Sequence, residues 1–138
     1  MIERLAAELA LISARHDNVQ SDGECSYVLI PEFLLPSGRF NKERTRLLFA
    51  VPIERGYPMV GPDDFFVDSD LRLADGSPAP GFNEGPNSSS GAAPVEGTWG
   101  WFSWHPDTWR PSASIEDGDN LMTFLRSVRS CLEGVEAT

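Results

Sequence analysis

Between Thr98 and Ser112 the chain reads TWGWFSWHPDTWRPS, and this stretch holds all four tryptophans and one of the two histidines of the protein. His105 is a candidate general base or acyl acceptor, because imidazole exchanges protons near neutral pH. Asp107 is placed to orient or charge that ring, and Ser103 offers a hydroxyl nucleophile or an oxyanion donor. Trp101, Trp104, Trp109 and Arg110, with Tyr57 from an earlier turn, are candidate partner contacts, since aromatic and arginine side chains anchor interfaces. Core burial competes with this reading for each indole, because large aromatic rings bury well and need one partner per N–H. His105 likewise has a plain alternative, a ring stacked on Trp104 or Trp109 that bonds a backbone carbonyl.

The elements that must position these groups follow from periodicity. In an extended segment Trp99, Trp101 and Ser103 share one side, and Gly100, Phe102 and Trp104 the other. The spacing predicts a strand buried on both faces over its second half, or a strand that breaks into a loop at His105-Pro106. Ile2, Leu5, Leu9 and Ile12 predict an amphipathic helix over 2–15, with His16 solvated at its end. Cys25 to Phe33 and Arg44 to Val51 have strand composition around the turn Leu35-Pro36-Ser37-Gly38, and Cys25 is expected to be buried. Pro52 to Asp64 carries too many prolines and glycines for a helix or central strand. Phe65-Phe66-Val67 form a short third strand. The Gly-, Pro- and Ser-rich stretch 74–97 is expected to be a flexible loop anchored by Phe82, with 84–93 disordered. Asp117, Asp119 or Asn120 caps a final helix to about Glu133, whose apolar face runs through Leu121, Phe124, Leu125, Val128, Leu132 and Val135. Cys131 lies at the edge of that face. Strands set between terminal helices predict an α+β fold, a small antiparallel sheet with helices packed on it.

At 138 residues one domain accounts for the whole chain, 1–138. A net charge of -10 argues against nucleic acid or an anionic membrane as partner. One lysine stands against ten arginines. The two cysteines show no paired spacing and no apolar run spans a bilayer, so a reducing cytoplasm is the expected location. Neither a metal site nor a cofactor motif is evident.

The order of elements and several motifs resemble the ubiquitin-conjugating (E2, UBC) fold. Tyr57-Pro58 with Pro62 and Phe65-Phe66-Val67 are similar to its proline turn and following strand, and Trp109-Arg110-Pro111 to the Trp-x-Pro ahead of its next helix. VLIPEFLLPSG, GYPMVGPDDFFVDSDLRLADG and WGWFSWHPDTWRPS…DNLMTFLRSV resemble the bacterial prokaryotic E2 family E over roughly Tyr27 to Leu132. The resemblance implies a UBC-like fold and work beside a ubiquitin-like protein and an E1-like activating enzyme. It also implies a cysteine that carries the modifier as a thioester. Aligning Trp109 puts that slot near Trp101; aligning His105-Pro106-Asp107 puts it near Ser114 or Ile115. Neither holds a cysteine. Three functions fit: transfer through a non-thiol site around His105, a catalytically silent module that binds a ubiquitin-like or E1-like partner, or an unrelated ligand-binding domain.

Overall fold

The computed structural model describes residues 2–106 and 108–134, so Val135 of the expected final helix face lies outside the described residues. The first helix, α1 (Ile2–Ser13), ends two residues earlier than its spacing suggests, although the His16 N–H still reaches the Ile12 carbonyl at 3.1 Å. Three strands follow, β1 (Tyr27–Leu34), β2 (Arg44–Ala50) and β3 (Phe65–Asp68), then β4 (Phe82–Glu84), β5 (Asn87–Ser88), β6 (Gly91–Ala92), β7 (Trp99–Phe102) and the closing helix α2 (Leu121–Leu132). The main sheet is antiparallel in the order β1-β2-β3-β7-β4. This is an α+β fold with a helix at each end.

Alternation along the strands divides the apolar residues between two faces. Val28, Ile30, Leu47, Phe49, Phe65, Val67 and Phe102 join Leu5 and Ile12 of α1 and the buried side of α2 in the principal core. Leu48, Phe66 and Trp99 form a second cluster on the opposite face, with Tyr27, Leu29 and Trp101 packed around it. The Trp strand is therefore buried on both sides, as its alternation predicts. In β1 the register slips between Ile30 and Phe33, where Pro31 has no N–H to give the ladder. As β1 is an edge strand, the slip is tolerated.

The 74–97 stretch departs from the flexible loop expected of it. Within it β4 pairs with β7, and β5 with β6 closes a small hairpin. Ala93 and Val95 cover the second apolar cluster, and the Val95 carbonyl accepts the Trp99 indole N–H at 2.9 Å. Its composition argued for freedom, but the outer face of β2, β3 and β7 exposes apolar area that water disfavours, and this segment covers it.

Glu8 ties the two helices to the proline-rich connection. Its side chain is wholly buried, pairs with the Arg4 guanidinium at 2.9 Å, accepts the Leu121 N–H at 2.7 Å, and accepts the Tyr57 hydroxyl. The start of α2 is further fixed by a capping box, in which the Asn120 side chain accepts the Thr123 N–H at 3.0 Å and the Thr123 hydroxyl accepts the Asn120 N–H at 2.9 Å.

Candidate functional site

His105 stands just past the end of β7, more than half exposed, opposite the Asp63-Asp64 pair that precedes β3. Its position follows from how the β3–β7 ladder is prolonged. Phe65 pairs with Phe102, and one step further the Asp64 N–H donates to the Trp104 carbonyl at 2.8 Å. Asp64 adopts a left-handed backbone, φ 58°, which turns its side chain into the ladder. There its carboxylate accepts the Trp104 N–H at 3.0 Å, in the place of a strand carbonyl.

The same carboxylate accepts the hydroxyls of Ser89 and, at 3.2 Å, Ser90, from the β5–β6 turn. Asp64 is 1 % exposed, so these bonds are what its burial requires. Trp104 is held from its other side by Ser127 of α2, which accepts its indole N–H at 3.1 Å.

Fixed in this way, the backbone delivers the imidazole to two carboxylates. His105 Nδ1 lies 3.1 Å from Asp63 Oδ1, and Nε2 lies 3.8 Å from Asp64 Oδ1. Asp63 is partly exposed and is the closer neighbour; Asp64 is committed to the backbone. No stacking of His105 on Trp104 or Trp109 occurs among the described residues. The arrangement is a half-exposed imidazole with Nδ1 close to the Asp63 carboxylate and Nε2 farther from that of Asp64, and an imidazole nitrogen can accept a proton or an acyl group.

The other residues singled out by sequence fall into different settings. Ser103 is exposed, and its backbone N–H donates to the Gly81 carbonyl at 3.4 Å. Asp107 lies outside the described residues. Trp101 and Trp109 are partly buried, and Arg110 is exposed. Tyr57 and Trp104 are not surface contacts: they are 2 % and 8 % exposed, because Glu8 and Ser127 satisfy their polar atoms inside the core. Trp109 lies against Tyr57 and donates its indole N–H to the Pro58 carbonyl at 2.7 Å. Beside it, a Cβ on Gly61 would fall 2.4 Å from the indole, so only glycine fits there.

Asp63, Asp64, Ser89 and Ser90 were not singled out from the sequence. The adjacent acids in GPDD were a signal of sorts, since two carboxylates ending a proline-rich connection face the same strand end. No group of three or more His, Cys, Asp or Glu side chains with metal-holding geometry occurs among the described residues. Nor is any described helix long and apolar enough to cross a membrane.

A family model described as Prokaryotic E2 family E matches residues 9–135. The chain belongs to that family. No curated protein and no solved structure matched it. This member of prokaryotic E2 family E carries no cysteine near Trp101, Ser114 or Ile115. Trp101, at one candidate thiol position, sits inside β7, and Ser114 and Ile115, at the other, lie in the loop ahead of α2.

The actual cysteines are elsewhere and poorly activated. Cys25 is buried, and burial raises its thiol pKa. Cys131 on α2 is pushed up to about 11 by burial, which the nearby Arg39 only partly offsets. Neither would supply much thiolate near neutral pH.

Proposed function

We propose that this E2-like protein works in a bacterial conjugation pathway beside an E1-like activating enzyme, and handles the C-terminal acyl group of a ubiquitin-like protein at His105 rather than on sulfur. The observation that carries this reading is the exposed His105 ring with Nδ1 against the Asp63 carboxylate, in a chain whose two thiols, one buried and one partly buried, both have raised pKa values.

The chemistry is acyl transfer from a thioester held by the E1-like enzyme. As a base, neutral Nε2 takes the proton of an attacking amine while nitrogen bonds to the acyl carbon and the thiolate departs. As an acceptor, Nε2 itself bonds to that carbon, the thiolate leaves, and the Asp63 carboxylate stabilises the charged ring until an amine displaces it. Ser103 is near enough in sequence to donate to the developing oxyanion. Asp63 takes the orienting role.

A second reading is favoured by the same poorly activated thiols together with partly exposed Trp101 and Trp109 and exposed Arg110: a catalytically silent module that binds a ubiquitin-like or E1-like partner through these side chains. One experiment separates the two. The chain is incubated with the E1-like enzyme, the ubiquitin-like protein and ATP, and products are resolved with and without reductant. Transfer at His105 gives an adduct or product that survives reductant, is lost in His105→Ala, and falls by about a hundredfold in Asp63→Asn. A stable complex with no product in any condition favours the silent module. An adduct cleaved by reductant and lost in Cys131→Ala sinks the non-thiol mechanism.

A further inference from the structure

The chain is strongly acidic, yet four of its ten arginines, Arg15, Arg44, Arg126 and Arg129, line a single depression of about 380 Å³. They converge from three directions: the end of α1, the start of β2, and α2. Among the described residues none of the four forms an ion pair, although the chain carries 21 Asp and Glu. A neutralising carboxylate was available in sequence many times over, so this local excess of positive charge needs an explanation. Favourable placement against helix dipoles could account for Arg15 and Arg129 near helix C-termini. It does not account for Arg44 on a strand.

The floor of the depression is apolar. Phe33, Leu34, Met122 and Leu125 line it, and Leu34 is 51 % exposed. The His16 ring lies stacked on Phe33, with centroids 5.5 Å apart. Arg129 is held across the rim by donating to the Leu34 carbonyl at 2.9 Å. Leu34 and Arg129 also line an adjoining depression of about 600 Å³ along the β1–β2 turn, so the surface continues as a groove longer than one small anion would fill.

We infer that this groove binds an acidic peptide segment of a protein partner, with carboxylates on the arginine rim and apolar side chains on the Phe33–Leu34 floor. The occupant is chosen by charge complementarity, by the apolar floor, and by the length of the groove. Two carboxylates, Asp17 and Glu32, also line it and would select against a ligand that crowds negative charge beside them. The groove lies apart from His105 and its carboxylates, and its test involves no acyl transfer.

The ring of His16 provides an internal reporter. Its pKa is lowered, first by burial and then by Arg15 and Arg129, with Asp17 opposing. Glu32, Arg44 and Arg126 complete the charged groups around it. Carboxylates bound among the arginines would cancel their repulsion and raise that pKa, so binding would tighten as pH falls.

The probe is a blocked hexapeptide of four glutamates and two leucines, followed by amide NMR shifts on the full chain. Expected are saturable shifts at residues 32–34 and 125–129 and an upward move of the His16 pKa. Affinity should drop by about tenfold in the double variant Arg44→Glu, Arg126→Glu, both exposed positions whose folding is checked by circular dichroism. The inference is overturned if shifts never saturate or fall elsewhere, or if a lysine version of the peptide binds equally. It is equally overturned if inorganic phosphate reproduces the shifts and displaces the peptide, or if sedimentation shows a dimer that this double variant dissolves, since the groove then belongs to a small anion or to a second copy.

Discussion

Replacing Glu8 by alanine tests the link between the fold and the site. The substitution strips partners from the Arg4 guanidinium, the Tyr57 hydroxyl and the Leu121 N–H, all in or beside the core. Arg4 keeps its bonds to the Ser112 and Asp119 carbonyls, so its charge is not wholly stranded. Tyr57 and Leu121 have no such fallback: they are 2 % and 0 % exposed. Breaking a buried pair from one side costs about 3–5 kcal/mol, most of it from polar groups left without partners. Spread over 138 residues, with an unfolding entropy of about 2.1 cal/mol/K per residue, each kcal/mol lowers Tm by about 3.5 °C. Glu8→Ala should therefore melt about 10–17 °C below the parent in calorimetry. Glu8→Gln keeps an acceptor for Leu121 and should fall in between. In a double-mutant cycle, Tyr57→Phe should recover part of the loss on the Glu8→Ala background, because it removes a stranded hydroxyl. A Glu8→Ala protein melting within about 3 °C of the parent would refute the assignment of Glu8 as the buried tie.

Two further outcomes follow from other parts of the chain. Deleting 84–93 removes Ser89, Ser90, the hairpin and part of the cover over Trp99, so Tm should fall by several degrees or more, with Trp fluorescence shifting red; an unchanged Tm and spectrum would mean the segment packs against nothing. Alkylation by iodoacetamide should be slow at neutral pH and speed up as pH approaches about 11 at Cys131, and Cys25→Ser with Cys131→Ser should leave any transfer activity intact; fast labelling at neutral pH would contradict the raised pKa of both thiols.

Much of the fold could be read from local chemistry. The spacing of Leu5 and Ile12, a cap among Asp117, Asp119 and Asn120, and the apolar run from Leu121 to Leu132 each depend on neighbours within a few residues, and each formed, with Asn120 taking the cap. The alternation through Trp99, Phe102 and Trp104 held for the same reason. What sequence hid were contacts set by chain reversal. Glu8 reads as a polar interruption of a helix face, but its partners come from Tyr57 and Leu121, far along the chain. The 74–97 segment has a composition that lacks any drive of its own, and it orders because an uncovered apolar sheet face lies beneath it. Tyr57 and Trp104 carry both apolar area and a donor, which suits an interface and a core equally, and only the reach of Glu8 and Ser127 decides for the core.

The same dependence on distant partners explains why two adjacent aspartates have different jobs. Asp63 and Asp64 are one residue apart with identical chemistry, yet the left-handed backbone at Asp64 drives its carboxylate inward while Asp63 stays at the surface. Asp64 has its acceptor capacity filled by Trp104, Ser89 and Ser90, so it cannot also follow His105 through a change of charge without loosening the strand end. Asp63 has no such duty and lies 3.1 Å from Nδ1. Substituting Asp64 would disturb the β5–β6 turn, the strand end at Trp104 and the ring together, and a loss of function there would be uninformative. Asp63→Asn keeps the shape, leaves the ladder intact and removes only the charge facing the imidazole. An effect on chemistry without an effect on stability is therefore expected at Asp63 and not at Asp64, and that contrast distinguishes a working histidine from one merely parked beside two acids.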